Sequence, residues 1–268
     1  MQIDHPRMLP EANKDFITRA LRILPEDSRI IGIAAAGSYL SGNMDNFSDL
    51  DLIIITEPEK QDEVLRDRVE IAQKLGICLA AFTGEHVGEP RLLITLYESP
   101  MLHVDLKFVS LDDAHVRVEE PAVLWQRDER VSAAYSTGSG LYPQPDIHWI
   151  EERFWIWTHY VASKIGRGEI FEAIDTINFI RSSALGPLAL QQAGARPQGV
   201  RRIETANPEF AAALQQTVPI YQRADCLRAL HASIKLYRQL RSNYDGLKDN
   251  TAVEQAVLHY LAVIESKI

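Results

Sequence analysis

The chain has 268 residues, enough for two domains of ordinary size. Hydrophobic residues make up 46% and charged residues 24%, a globular balance, and no apolar run approaches the ~20 residues of a membrane helix. The net charge of −9, with no Lys/Arg run longer than Arg201-Arg202, argues against nucleic acid, which needs a basic stripe, and towards a small, even cationic, partner.

Met1-Gln2-Ile3-Asp4-His5 carries neither a basic patch nor a following apolar core, so no secretory leader and a cytoplasmic setting are expected. The two cysteines, Cys78 and Cys226, lie inside apolar segments and read as buried free thiols. Neither Cys-x-x-Cys nor His-Glu-x-x-His occurs.

In chain order, Pro10 to Leu24 is an amphipathic helix, with Phe16, Ile17, Ala20, Leu21 and Leu24 at helical spacing. Ile30 to Ala36 reads as a buried strand running into the small-residue turn at Gly37-Ser38, and Ser38 to Phe47 supply turn formers. The next strand is predicted to open with Asp49 and Asp51 and to continue through Leu52 to Ile55. Its period of two sends both carboxylates to one face and Leu50 and Leu52 to the other. Two anions side by side repel unless a cation sits between them, which makes a divalent metal the economical candidate. A helix follows from Lys60 to Leu75, ended by Gly76. Strands are expected over Ile77 to Phe82, Leu92 to Tyr97 and Leu102 to Val109, with a loop at Thr83 to Pro90 and a turn at Glu98-Ser99-Pro100. Interleaved strands and helices predict an α/β (α+β) domain with a mixed sheet over residues 1–143.

Gln126 to Asp146 is polar and reads as a linker or active-site loop. An all-α helical bundle is expected over residues 144–268. Its helices are His148 to Ile165, Glu169 to Leu190, Tyr221 to Tyr244 and Thr251 to Ser266, with breaks or bends at Gly166-Arg167-Gly168 and Pro187. Gly194 to Arg202 is a basic loop, and its Arg196, Arg201 and Arg202 read as loop charges. Gly138-Ser139-Gly140 is too short for a phosphate loop, and no Lys-Ser or Lys-Thr follows Gly42 as a Walker loop requires.

Gly37-Ser38, then about ten residues of turn and helix, then Asp49-Leu50-Asp51 on a strand and Asp105 on a later one resemble the signature of the nucleotidyltransferase superfamily, which includes DNA polymerase β and the antibiotic nucleotidyltransferases. The likeness covers roughly the first half of the chain, and its three parts together are far more specific than Asp-x-Asp alone. It implies attack of an acceptor hydroxyl on the α-phosphorus of a nucleoside triphosphate, with ATP as co-substrate and Mg²⁺, two ions, as cofactor. Asp49, Asp51 and Asp105 would be the metal ligands and catalytic carboxylates, with Asp105 able instead, or also, to take the hydroxyl proton. Gly37 and Ser38 would meet the triphosphate.

The second half resembles the helical domain of antibiotic nucleotidyltransferases through Phe154-Trp155-Ile156-Trp157, Tyr160-Val161, Lys164, Arg167-Gly168-Glu169 and Ile180-Arg181. Lys164 would bind nucleotide, with Arg167 beside it on one helical stripe with Trp157 and Tyr160. His103 and Lys107 share the Asp105 strand face, while Glu151 and Glu152 read as acids at a solvated helix N-terminus or as contacts for an acceptor amine. The expected function is transfer of AMP from ATP to a hydroxyl of a small molecule of aminoglycoside or lincosamide type. Two alternatives stay open: a protein or RNA adenylyltransferase, and a nucleotide-binding or antitoxin-like module without catalysis.

Overall fold

The computed structural model describes residues 9–42 and 44–268, so Met1 to His5, on which the leader reading rests, lie outside the described residues. The chain divides into two compact units, Met1–Tyr142 and Pro143–Ile268.

The first unit is a six-stranded sheet with helices. Its strands are β1 (Ile30–Ala35), β2 (Leu50–Thr56), β3 (Cys78–Gly84), β4 (Glu89–Tyr97), β5 (Leu102–Ser110) and β6 (Ala122–Gln126). They lie in the order β3-β4-β5-β2-β1-β6. β2 and β5 are parallel and the other neighbours antiparallel, which makes the sheet mixed, in agreement with the sequence. The helices are α1 (Glu11–Ile23), α2 (Ser38–Ser41), α3 (Gln61–Lys74) and α4 (Arg130–Ser136).

Strand alternation divides the two faces of this sheet. Leu50, Leu52 and Ile54 of β2, Val104, Leu106 and Phe108 of β5, and Leu93 and Tyr97 of β4 pack with Phe16, Ile17 and Ala20 of α1 and Val64, Ile71 and Ala72 of α3. Each such large side chain contributes about 1.5–3 kcal/mol by leaving water. On the other face a small cluster of Ile31, Ile55 and Val131 seats α4 over β1 and β2. On that same face β5, β4 and β3 carry residues that keep some exposure, among them Asp105, Ile94 and Phe82.

Three expectations need correction. β2 starts at Leu50, where its ladder with β5 begins, so Asp49 stands just before the strand. The stretch expected to be a polar linker holds the end of β6 and all of α4; α4 buries only Val131, too little for a helical period to show. Cys78 is only partly buried, because β3 is the sheet edge, whereas Cys226 is buried; both are free thiols.

The second unit is helical throughout, with α5 (Ile147–Arg167), α6 (Ile170–Ile180), α7 (Gly186–Gln192), α8 (Ile203–Ala206), α9 (Pro208–Leu214), α10 (Arg223–Arg241) and α11 (Thr251–Glu265). Asp146 opens α5 by accepting from the backbone N–H groups of His148 and Trp149. Gly168, at φ 78°, closes it in the left-handed conformation that glycine adopts without strain. α6 passes into α7 through a π-helical turn, Arg181–Leu185. Pro187 follows directly in α7, where it has no N–H to donate back into the preceding turn and its ring needs room there, which the wider π-helical turn supplies. The bend expected at Pro187 is thus a widened turn within one helical run.

The core joins Ile150, Phe154 and Val161 of α5 to Ile177 of α6, Leu230 and Tyr237 of α10 and Leu261 of α11. Glu151 corrects the sequence reading. It is 2% exposed, deep in this unit, and its carboxylate accepts from the Tyr237 hydroxyl, from Arg241 Nε at 2.8 Å and from Asn250 Nδ2 at 2.9 Å. Among the described residues no helix is long and apolar enough to cross a membrane.

Candidate active site

β1 delivers the chain to Gly37, and the backbone N–H of Ala36 donates to the carbonyl of Asp51 at 3.1 Å, fixing the turn to the start of β2. Gly37 adopts φ 60°, ψ −131°, a conformation open in practice only to glycine. Space demands glycine as well, since a Cβ there would lie 1.9 Å from Oδ2 of Asp51. Backbone and carboxylate are therefore in direct apposition. Ser38 is buried, and its hydroxyl donates to the Asp49 carbonyl at 3.4 Å.

Asp51 and Asp105 are register partners in the parallel pair β2–β5. Partners in neighbouring strands project from the same face with backbones about 4.8 Å apart, so the two carboxylates leave the sheet side by side. His103 shares that face, with Nε2 2.9 Å from Oδ1 of Asp105. Lys107, on the same face of β5, turns to Glu89 instead, at 2.8 Å. Glu89 is also held by Arg91, and these hydrogen bonds, Arg91's first, bring its carboxyl down to about 2.

Asp49 is partly buried and lies outside the ladder, so strand alternation does not itself aim it at the pair. Among the described residues no group of three or more His, Cys, Asp or Glu side chains is gathered as a metal ion would need. The carboxylates the sheet brings together are thus Asp51 and Asp105. Two adjacent carboxylates with a small-residue turn beside them fit a hard divalent cation, which takes oxygen ligands and keeps some coordination positions for other oxygens.

One participant escaped the sequence reading. Glu119, just before β6, accepts from the Gly37 N–H at 2.9 Å. It occupies the N–H of a residue that the sequence resemblance places at the triphosphate. The two residues are 82 positions apart, so no local pattern could join them.

In the second unit, Lys164 sits in the last turn of α5, with Nζ 2.6 Å from Oε2 of Glu169 and 4.8 Å from the centre of the Tyr160 ring. The hydrogen bond that Lys164 donates to Glu169 raises the Lys164 pKa. Arg167 reaches the other oxygen of Glu169 at 2.6 Å. Both cations of the predicted stripe therefore converge on one local carboxylate.

Residues 17–82 match the family model described as "Nucleotidyltransferase domain". The match runs from α1 into β3 and includes Gly37, Ser38, Asp49 and Asp51. No curated protein sequence matches the chain. Among solved structures, an aminoglycoside 6-adenyltransferase from Bacillus subtilis is similar at 14% identity and TM-score 0.40, over 96% of this chain and 99% of that one. A nucleotidyltransferase-like protein from Exiguobacterium sibiricum is similar at 13% and 0.34, over 96% and 89%. A spectinomycin adenyltransferase from Enterococcus faecialis, solved with ATP and spectinomycin, is similar at 12% and 0.33, over 94% and 99%. At these TM-scores the likenesses add no weight to a substrate. The family match and the Gly37 turn leading to Asp51 agree: this chain carries a nucleotidyltransferase domain, the module of a nucleotidyl-transferring enzyme.

Proposed function

We propose that the chain transfers a nucleoside monophosphate, AMP from ATP, to a hydroxyl of a small molecule in a Mg²⁺-dependent reaction. In this reading residues 1–143 form the catalytic domain and 144–268 a helical domain. The observation that carries it is the register pairing of Asp51 with Asp105, with the Gly37 turn packed against Asp51.

Asp51 and Asp105 would hold the cation side by side, and Asp49, which the sequence signature adds to the set, would join them only by turning towards the pair from just before β2. A divalent cation, when bound, screens the triphosphate and makes its α-phosphorus more electrophilic. Gly37 lets the backbone approach the phosphates and Ser38 binds nucleotide; Lys164, within the second unit, is that unit's own candidate for a phosphate oxygen in exchange for Glu169. The acceptor oxygen forms a bond to the α-phosphorus as the bond from that phosphorus to the bridging oxygen breaks. Pyrophosphate leaves with the electron pair, and the hydroxyl proton passes to the Asp105 carboxylate. His103, hydrogen-bonded to Asp105, keeps that carboxylate oriented.

The acceptor belongs to the aminoglycoside or lincosamide kind, as the sequence resemblance implies, and the net charge of −9 disfavours nucleic acid. Two free cysteines suit a cytoplasmic setting. The test is incubation of the purified chain with Mg²⁺, α-labelled ATP and a panel of both antibiotic classes. Label on a small molecule with release of pyrophosphate is expected, and neither product with any acceptor would overturn the antibiotic assignment.

A further inference from the structure

The strand registers extend the acid pair into a longer row. Asp51 pairs with Asp105, Asp105 with Ile94 of β4, and Ile94 with Phe82 of the edge strand β3. The flanking row runs from His103 to Leu96 and Ala80, and on the other side Lys107 adjoins Leu92. Register partners share a face, so the side of the sheet that carries the acids continues over β4 and β3 as hydrocarbon. Phe82 remains 54% exposed, and Leu92, Ile94 and Leu96 are each partly exposed. Two strand spacings, roughly 10 Å, separate Phe82 from Asp105.

The rim of this shelf is already neutralised. Glu89, at the start of β4, is held by Arg91 and Lys107 at 2.8 Å each, so it offers no anion to an incoming amine. A polyamine sugar laid along the row would meet carboxylates only at the acid pair itself. A molecule with a hydroxyl at one end and an aryl or alkyl body about 10 Å long would meet the acids with its hydroxyl and the shelf with its body.

The geometry points to Ile94, Leu92, Leu96 and Phe82 as the acceptor subsite, and to an acceptor whose hydroxyl is carried on an apolar body rather than on a polycation. This rests on the nucleotidyl-transfer reading and narrows its acceptor class by setting aside the polycationic aminoglycosides. The occupant follows from continuity: the shelf is the same sheet face, in register, as the carboxylates that the reacting hydroxyl must approach.

Benzyl alcohol is the probe, followed through the methyl resonances of protein labelled at Ile and Leu. Saturable shifts at Ile94, Leu92 and Leu96 are expected, both in the wild type and in the D51N–D105N double variant. Phe82→Ser should weaken the binding about tenfold. With Mn²⁺ and ATP bound to the wild type, the hydroxymethyl protons of the alcohol should relax faster than its ring protons. Absence of shifts up to the solubility of the alcohol, indifference to Phe82→Ser, or faster relaxation of the ring would each overturn the subsite. So would a second copy covering these strands, read as a dimer by sedimentation together with unmoved shelf methyls. Calorimetry of Mg²⁺ and ATP separates the two levels. Nucleotide binding without alcohol shifts refutes the shelf alone, while no nucleotide binding refutes the transfer reading.

Discussion

Gly37 and Asp51 are packed so closely that a Cβ at position 37 would stand 1.9 Å from Oδ2 of the carboxylate. The family model, the turn geometry and the acid pair meet at this contact. Gly37→Ala must either move Asp51 or abandon φ 60°. The backbone conflict alone costs about 1–3 kcal/mol, visible as a lower urea midpoint. Displacement of Asp51 by about an ångström should lower kcat/KM roughly 10²-fold. Wild-type activity in the purified variant would show that the apposition has no part in function.

The pairing of Asp51 with Asp105 makes a prediction about stability that needs no acceptor. Like charges directly opposite on neighbouring strands destabilise a sheet, by about 0.2–1 kcal/mol. Asp105→Asn should therefore raise the urea midpoint slightly when Mg²⁺ is chelated. Added Mg²⁺ should stabilise the wild type in proportion to the logarithm of its concentration, and the variant much less. Nucleotidyl transfer by the variant should fall about 10²-fold or more, as expected on losing a group that neutralises transition-state charge. Equal Mg²⁺ responses in the two proteins would remove the pair from the metal site.

Much of this was legible in the sequence, for identifiable reasons. Ile30 to Ala35 and Leu50 to Thr56 alternate or run apolar in a way only strands explain, and Gly37-Ser38 stands at the required distance from Asp51. The parallel placement of β5 beside β2 turns two carboxylates 54 positions apart into neighbours; their proximity was inferred from the family signature, because no periodicity reaches across β3 and β4. Asp49 looked equivalent to Asp51 by alternation, but the ladder starts one residue too late to hold it. Glu119 and the shelf from Ile94 to Phe82 were invisible because each depends on long-range register. Glu151 misled because an acid in the first turns of a helix is ordinarily solvated, whereas here α10 supplies Tyr237 and Arg241 over it.

Glu89 gives a pH signature at the rim of the acid face. Its carboxyl is depressed from 4.5 to about 2, with Arg91 the leading cause and Lys107 a further one. A depressed carboxyl means that the unfolded chain takes up the proton first. The stabilisation is therefore complete above about pH 4.5 and disappears as the pH falls towards 2. Glu89→Gln should be less stable than the wild type near neutral pH, and the gap between their urea midpoints should close as the medium is acidified through that window. A gap constant with pH would mean that the ion pairs with Arg91 and Lys107 do not form in solution.

The second unit is most exposed to a change at Glu151. That carboxylate is 2% exposed and takes hydrogen bonds from Tyr237, Arg241 and Asn250, so its desolvation is offset by a cation and two neutral donors. Burial, followed by the hydrogen bond to Glu151, raises the Tyr237 pKa, which keeps the hydroxyl in place as a donor. Glu151→Ala would leave Arg241 without its buried anion and Tyr237 without an acceptor. Breaking a buried pair from one side costs about 3–5 kcal/mol, enough to unfold many domains. Glu151→Gln keeps an acceptor oxygen for Tyr237 and loses only the charge, so its loss should be clearly smaller. The full-length chain should therefore show a urea midpoint ordered wild type, Glu151→Gln, Glu151→Ala, with the second-unit amides near Tyr237 losing exchange protection first in the alanine variant. If instead the two variants were equally stable, the network would owe nothing to its hydrogen bonds, and Glu151 would be held in place by packing around Phe154 and Tyr237, whose ring centroids lie 3.6 Å apart.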